Sequence, residues 1–210
     1  MKKNRVIIFD FDGVIVDSCQ LSFSINKESI IDLEYEEWKS WAEGNVYKIK
    51  LKKDQGDEAF HFSHYCKRYR EQISNLLPVE GIEDVFKKIL EMGYKLVIIS
   101  GAGEESIEGF LKKYDLKKYF DGVFGWETNE SKSEKFKMIF EKYGIKVSET
   151  LMVTDTVGDV KEAKEVGIKS IGTSWGLHEP ERLIKNGVDF MADEPKDILK
   201  GIEKMIKFTT

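Results

Sequence analysis

The chain has 210 residues, 41% of them hydrophobic, with two cysteines and a formal net charge of −5. This length suits one domain with at most a modest insertion, and the negative charge argues against general nucleic-acid binding because a phosphate backbone selects basic surfaces. Since two cysteines make no disulfide framework and no apolar run reaches the roughly 18 residues of a membrane span, we expect a soluble cytoplasmic protein that contacts no membrane.

Short apolar runs alternate with amphipathic, charge-rich stretches along most of the chain. The apolar runs predict six β-strands, at residues 5–9, 94–100, 122–126, 150–155, 168–174 and 188–193. The stretches between them predict helices at 82–92, 104–113, 132–143, 159–166, 179–186 and 195–207. Several runs are almost continuously apolar, as strands covered on both faces by helices are. The pattern predicts an α/β fold, a doubly wound parallel sheet of the Rossmann-like type.

One segment, residues 17–78, contains no buried-strand run. Aromatic and charged residues recur there at helical intervals, which predicts an inserted α-helical subdomain, a cap, beside a core of residues 1–16 and 79–210. Trp38, Trp41 and Phe60 are predicted to pack inside the cap, and the lysine-rich stretch 47–53 is predicted to be a solvated face. His61, His64 and Cys66 do not complete the four ligands of a structural zinc site, so zinc is not expected.

Acidic and hydroxyl residues follow three of the predicted strands. Asp10 and Asp12 follow the first strand and Ser100 the second, while Asp155 and then Asp159 follow "TLMVT". Ligands of parallel sheets bind outside the carboxyl ends of the strands, so these groups are expected at one edge. Carboxylates gathered there resist ionising together unless a cation lies among them, and hard oxygen ligands suit Mg²⁺.

Phosphate chemistry is the second expectation for this edge. The turn "SGAGEES" offers the Ser100 hydroxyl and backbone N–H groups, including that of Gly101, at a helix start, and Lys132 offers a positive charge. Lys135 lies nearby and is the alternative lysine. Asp10 is the candidate nucleophile and Asp12 the candidate general acid and base.

Ordinary structural readings compete with some of these assignments. Ser100 or Asp159 could instead cap the helix that follows it, and Asp17 with Ser18 is expected to cap the first helix of the insertion.

The segments "DFDGVIVDS", "VIISG", a lysine before a helix, and "VTDTVGDVKEA" resemble, in order, the four motifs of the haloacid dehalogenase superfamily of phosphatases. The insertion after the first motif resembles the helical-cap branch, which includes phosphoglycolate phosphatases and β-phosphoglucomutases. The resemblance implies an aspartyl-phosphate on Asp10, with Asp12 as acid and base. It also implies Mg²⁺ held by Asp10, the backbone carbonyl of Asp12, Asp155 and, directly or through water, Asp159. Ser100, Lys132 and the amides near Gly13 and Gly101 would hold the phosphoryl oxygens.

The expected function is therefore that of a Mg²⁺-dependent phosphatase acting on a small phosphorylated metabolite, as a monomer or weak homodimer. A phosphosugar mutase is the near alternative, since it shares the first half-reaction. A signalling receiver module ranks lower because it needs neither Asp12 nor an insertion of this size, and a catalytically silent relative is the remaining alternative.

Overall fold

The computed structural model describes residues 5–45, 57–128 and 131–206. Within them, a parallel sheet has six strands in the order β3-β2-β1-β4-β5-β6. The strands are β1 Val6–Phe9, β2 Lys95–Ile99, β3 Gly122–Phe124, β4 Thr150–Thr154, β5 Lys169–Thr173 and β6 Phe190–Ala192. β1 lies between β2 and β4, so the chain crosses the sheet in both directions from its first strand. The predicted doubly wound α/β fold is confirmed.

Helices cover both faces of this sheet. In the core they are α4 Ile82–Glu91, α5 Glu104–Lys113, α6 Lys132–Tyr143, α7 Val157–Glu165, α8 Pro180–Lys185 and α9 Asp197–Met205. Alternate residues of β1 face opposite sides: Ile7 and Phe9 pack with α4, α5 and α9, whereas Val6 and Ile8 pack with α6 and α7. Burial on both faces explains why the strands are continuously apolar in sequence.

The helical insertion lies between β1 and β2. Its helices are α1 Cys19–Ser29, α2 Tyr35–Trp41 and α3 Glu58–Gln72. The chain segments that enter and leave it meet at an antiparallel bridge between Val16 and Pro78, and Val79 N–H donates to the carbonyl of Ile15 at 2.8 Å. The insertion is thus joined to the sheet through two chain segments that pair side by side.

The interior of the insertion differs in part from the prediction. Trp38 is buried with Ile30 and Leu33, and Trp41 packs against this cluster. The prediction for Phe60 was wrong: its side chain is 65% exposed, and its ring stacks on that of His64, one turn further along α3. The predicted solvated face at 47–53 lies outside the described residues, and no described helix is long and apolar enough to cross a membrane.

Candidate active site

Three neighbouring strands end in polar residues at the same edge of the sheet. Asp10 follows β1, Ser100 follows β2 and Asp155 follows β4. β1 pairs in register with both other strands, so the residues that follow all three come to one edge. All three residues are buried, and all three line one cavity.

A lysine joins two of the carboxylates. Lys132, the first residue of α6, places its Nζ 2.8 Å from Asp10 Oδ2 and 2.6 Å from Asp159 Oδ2. The Thr154 hydroxyl also donates to Asp159 Oδ2, at 2.7 Å. The alternative lysine, Lys135, lies one turn further along α6 and donates instead to the backbone carbonyl of Ser100 at 2.8 Å. Of the two lysines, Lys132 is the one in contact with the candidate nucleophile.

Burial and charge shift the pKa values of this group. Burial raises the pKa of Asp10 well above its ordinary value, against the opposing effect of Lys132. Burial also raises the pKa of Asp155, to about 7, although the Leu177 N–H acts against it. For Asp159 burial acts in the same direction, but the Lys132 ammonium and its hydrogen bonds hold the pKa below the ordinary value. Lys132 pairs with Asp10 and Asp159 but not with Asp155, so this group of buried carboxylates favours uptake of a proton or a cation.

Asp155 offers the clearest test of whether these residues fit a cation. Its Oδ2 accepts the N–H of Leu177 at 2.7 Å, while its Oδ1 is buried and has no hydrogen-bond partner among the described residues. A buried charged oxygen without a partner is costly, and a hard divalent cation is the partner that carboxylate oxygens suit. The oxygens around it therefore fit Mg²⁺. Among the residues the structure describes, however, no three His, Cys, Asp or Glu side chains form a preassembled metal cluster.

Two glycines leave room for the Asp155 carboxylate. Gly13 has a φ of +69°, and a Cβ there would lie 1.9 Å from Asp155 Oδ2. A Cβ on Gly176 would lie 2.1 Å from the Cβ of Asp155. The Gly13 N–H donates to the Val16 carbonyl at 2.8 Å, and a phosphate-binding role for the amides near Gly13 stays a prediction. The contribution that the geometry supports for Gly13 is steric.

Asp12 has a different environment from Asp10. Its Oδ1 accepts the hydroxyl groups of both Ser18 and Tyr69, and its Oδ2 lies 3.5 Å from Ser100 Oγ. Burial raises the pKa of Asp12, while the hydrogen bonds from Ser18 and Tyr69 act to lower it. A raised pKa favours the protonated form of Asp12, which is the form that a general acid needs.

The capping alternatives are decided by where the helices begin. α5 begins at Glu104 after Gly103, and the Ser100 hydroxyl accepts the N–H of Ala102 at 2.9 Å, so Ser100 does not cap a helix. α7 is capped by Thr156, whose hydroxyl accepts the N–H of Asp159. Ser18 occupies the position before α1, but its hydroxyl bonds to Asp12 and makes no cap. The predicted capping role of Ser18 was therefore wrong.

The site opens into a cavity of about 420 Å³ between the sheet edge and the insertion. Its core side includes Asp10, Asp12, Ser100, Gly101, Lys132, Lys135, Asp155 and Asp159. Its cap side includes Ser22, Asn26, Trp41, Glu58, His61, Phe62 and Tyr65. His61 lies 2.9 Å from Asn26 Oδ1 through Nε2, and its Nδ1 meets Ser29. Burial lowers the pKa of His61, so this part of the wall is neutral at pH 7.

The insertion contacts the core at both sides of the cavity. On one side Lys39 pairs with Glu179 and Gly158 N–H donates to the Ala42 carbonyl at 2.8 Å. On the other side Phe62 packs edge-on against Trp126, with ring centroids 5.2 Å apart. The cavity is therefore flanked on two sides by contacts that join the two parts of the chain.

Sequence reasoning missed two residues of this site, Ser18 and Tyr69. Ser18 has the signature of a helix cap, and the signal for Tyr69 is only a tyrosine in an amphipathic helix, 57 residues from Asp12. Neither residue lies at a strand end. The rule that located the other residues therefore could not find them.

Comparison with known proteins gives one family. The sequence model of the haloacid dehalogenase-like hydrolases matches residues 7–173. The chain is 22% identical over 215 residues to a phosphoglycolate phosphatase of Synechococcus elongatus, covering 97% of this chain and 99% of that protein. It is 27% identical to a phosphoglycolate phosphatase of Aquifex aeolicus, covering 96% of this chain and 98% of that one.

Solved structures agree on the fold. A haloacid dehalogenase-like family hydrolase from Streptococcus pneumoniae superposes with a TM-score of 0.78 at 21% identity. The match covers 97% of this chain and all of that one. The sheet and the insertion therefore occur together in a solved relative of the same size.

Proposed function

Because the chain belongs to the haloacid dehalogenase-like hydrolase family, we propose that it is a Mg²⁺-dependent phosphatase that hydrolyses a small phosphomonoester through an aspartyl-phosphate. The observation that carries this proposal is the contact of Lys132 with Asp10, beside the unpartnered oxygen of Asp155. Phosphoryl transfer to an aspartate needs a nucleophilic carboxylate, a fixed positive charge and an oxygen that can bind a cation. Asp10, Lys132 and Asp155 are the candidates for these three groups.

In the proposed reaction Asp10 attacks phosphorus and Asp12 gives a proton to the leaving oxygen. Asp12 then takes a proton from the water that hydrolyses the aspartyl-phosphate. Lys132 and the Ser100 hydroxyl, with amides of the turn at Gly101, hold the phosphoryl oxygens, the electrostatic contribution that dominates this kind of transfer. Lys132 also keeps Asp10 in place, since it donates to the carboxylate.

The proposed metal ligands are the Asp10 carboxylate, the backbone carbonyl of Asp12 and Asp155. The ion supplies positive charge to the phosphoryl group when it is bound. Asp159 already has its Oδ2 engaged by Lys132 and Thr154, which supports a role through water and through Lys132 rather than as a direct ligand.

The proposed substrate is a phosphoglycolate-like ester or a sugar phosphate. A cavity of about 420 Å³ suits a small metabolite, and the named curated relatives are phosphoglycolate phosphatases. We propose residues 17–78 as the cap that closes over this substrate and residues 1–16 and 79–210 as the catalytic core. The monomer or weak homodimer stays a prediction.

The test is phosphate release with Mg²⁺ across phosphoglycolate, sugar phosphates, nucleoside monophosphates and pyrophosphate. At least one ester should be hydrolysed, and Asp10→Asn should lower its kcat by at least about 10³-fold while circular dichroism stays unchanged. Chelation of divalent ions should abolish turnover, and Mg²⁺ should restore it.

The possible results bear separately on the chemistry, on the substrate and on the fate of the phosphoryl group. Full activity of Asp10→Asn, or full activity in chelator, would contradict the chemistry. Phosphoglycolate left intact while another ester is hydrolysed would contradict only the preferred substrate. Phosphoryl transfer to a second sugar hydroxyl, without release to water, would identify a mutase instead.

A further inference from the structure

The candidate acid and base, Asp12, is held by two residues from the inserted segment. Tyr69 in α3 and Ser18, just before α1, both donate to the same oxygen, Oδ1. Neither residue belongs to the sheet edge that supplies the other catalytic groups. The orientation of a core carboxyl group is thus fixed by hydroxyl groups of the cap.

Tyr69 is well placed to fix that orientation. Its side chain is 2% exposed and its ring stacks on Tyr65, with centroids 5.6 Å apart. The Tyr65 hydroxyl pairs with Ser22 at 3.0 Å, so the two stacked rings have separate partners. A buried hydroxyl that lost its partner would be costly, which keeps the Tyr69 phenol directed at Asp12.

The two oxygens of Asp12 therefore differ in what they can do. Oδ1 accepts two hydrogens and has no room for a third, so it does not carry the acidic proton. Oδ2 has only a contact of 3.5 Å to Ser100 Oγ, at the outer limit of a hydrogen bond, and Asp12 lines the cavity. The proton of a neutral Asp12 then lies on Oδ2.

We propose that Tyr69 is a positioning residue which, with Ser18, holds Oδ1 of Asp12 so that Oδ2 is the oxygen that transfers the proton. This role rests on the proposed phosphatase function. As the Asp10 oxygen bonds to phosphorus, the bond from phosphorus to the leaving oxygen breaks, its electron pair stays on that oxygen, and the proton moves there from Oδ2. When water attacks the aspartyl-phosphate, the bond from phosphorus to Asp10 breaks and a proton of the water returns to Oδ2.

The test compares leaving groups that differ in their need for a proton. An alkoxide leaves only with a proton, whereas 4-nitrophenolate leaves without one. kcat/KM reports the steps up to departure of the leaving group, so it isolates the first proton transfer. It is measured with 4-nitrophenyl phosphate and with the alkyl ester that gives the highest kcat/KM in the substrate panel.

Tyr69→Phe should lower kcat/KM for the alkyl ester by about 10-fold or more, a part of the full contribution of a general acid, and by less than about 2-fold for 4-nitrophenyl phosphate. Tyr114→Phe is the matched control. Its phenol donates to the Leu76 carbonyl at 2.6 Å, close to the end of the insertion, and does not touch Asp12. The ratio of the two kcat/KM values should stay at the wild-type value in that control.

Ser18→Ala is the second variant, because it removes the other donor to Oδ1 and should shift the ratio in the same direction. If Tyr69→Phe does not fold by circular dichroism, the ratio in Ser18→Ala decides. Equal losses for both esters, or no loss for either, would overturn the positioning role. A wild-type chain that hydrolyses neither ester overturns the proposed function and this role with it, whereas an active wild type with an unchanged ratio overturns this role alone.

Discussion

The two walls of the cavity are built on different principles. The core wall gathers the buried carboxylates Asp10, Asp155 and Asp159, and the Lys132 ammonium pairs with two of them, Asp10 and Asp159. In the described part of the insertion, no lysine or arginine lines the cavity, Glu58 is the one acidic side chain that does, and Asn26 and His61 bond to each other. The core wall therefore carries unbalanced charge, while the pair formed by Asn26 and His61 is neutral and internally satisfied.

This difference indicates that the core wall, and not the cap wall, gains stability from a bound cation. Neutral groups that satisfy one another cost little to bury, and the hydrogen bonds between α1 and α3 hold that wall together without a ligand. Burial disfavours the charged form of a carboxyl group and the neighbouring carboxylates add to this, so the pKa values of Asp10 and Asp155 are raised. The core wall is thus poised for a cation, and the cap wall shapes the space above it.

The largest expected effect tests whether the Lys132 ammonium of the core wall contributes to kcat/KM. Lys132→Met removes the ammonium shared by Asp10 and Asp159, so we expect kcat/KM to fall by about 10² to 10³-fold. Lys135→Met is the matched control, since Lys135 is also buried in α6 but donates to the Ser100 carbonyl. It should cost stability, about 1–3 kcal/mol, and lower kcat/KM less than Lys132→Met does.

Steady-state kinetics and urea unfolding of both variants check this expectation. A larger catalytic loss in Lys135→Met than in Lys132→Met would reassign the phosphate-binding lysine. It would also mean that the contact of Lys132 with Asp10 does not account for the loss of kcat/KM.

The second effect tests how tightly the core wall holds Asp155. Gly13→Ala places a Cβ against the carboxylate at a residue with positive φ, so we expect a loss of about 2–5 kcal/mol in the free energy of unfolding and weaker Mg²⁺ binding. Gly81 also has positive φ, +82°, but a Cβ there meets nothing within 4 Å. Gly81→Ala should cost only the backbone strain, about 1–2 kcal/mol.

Urea unfolding in chelator measures both losses, and a Mg²⁺ titration followed by thermal shift measures the affinity. Equal losses in the two variants would mean that the contact with Asp155 adds nothing to the strain of the turn.

The smallest effect is a pH dependence of stability without metal. The pKa of Asp155 is raised to about 7 in the folded state, so between about pH 4 and pH 7 the folded chain binds a proton there that the unfolded chain has lost. The free energy of unfolding in chelator should therefore fall as pH rises through this window, by on the order of 1–3 kcal/mol. Saturating Mg²⁺ should oppose this fall, because the ion replaces the proton.

Urea unfolding at pH 5 and pH 8 measures this change, and Asp155→Asn is the control in which it should be smaller. The same fall in wild type and in Asp155→Asn would assign the titration to another group. A stability that falls less with pH in wild type than in Asp155→Asn would contradict the raised pKa of Asp155.

The sequence located the core wall because one rule covered it. Apolar strands followed by Asp10, Ser100 and Asp155 had to end at one edge once the sheet was parallel, and a lysine near the start of a following helix, Lys132 with Lys135 as the alternative, was expected beside them. The Gly13 turn was found as a motif, but its steric reason was not. That reason depends on Asp155, which lies 142 residues further along the chain.

The chain by itself determined the layers, the order of helices and strands, and the gathering of carboxylates, because these follow from local periodicity and from the direction of parallel strands. Only the tertiary structure decided that Phe60 lies outside the cap interior, that Lys132 rather than Lys135 contacts Asp10, and that Ser18 and Tyr69 hold Asp12. The physical reason is the separation of the interacting residues along the chain. Periodicity reports which face of an element is apolar, whereas a hydrogen bond between residues 57 positions apart depends on how whole helices pack.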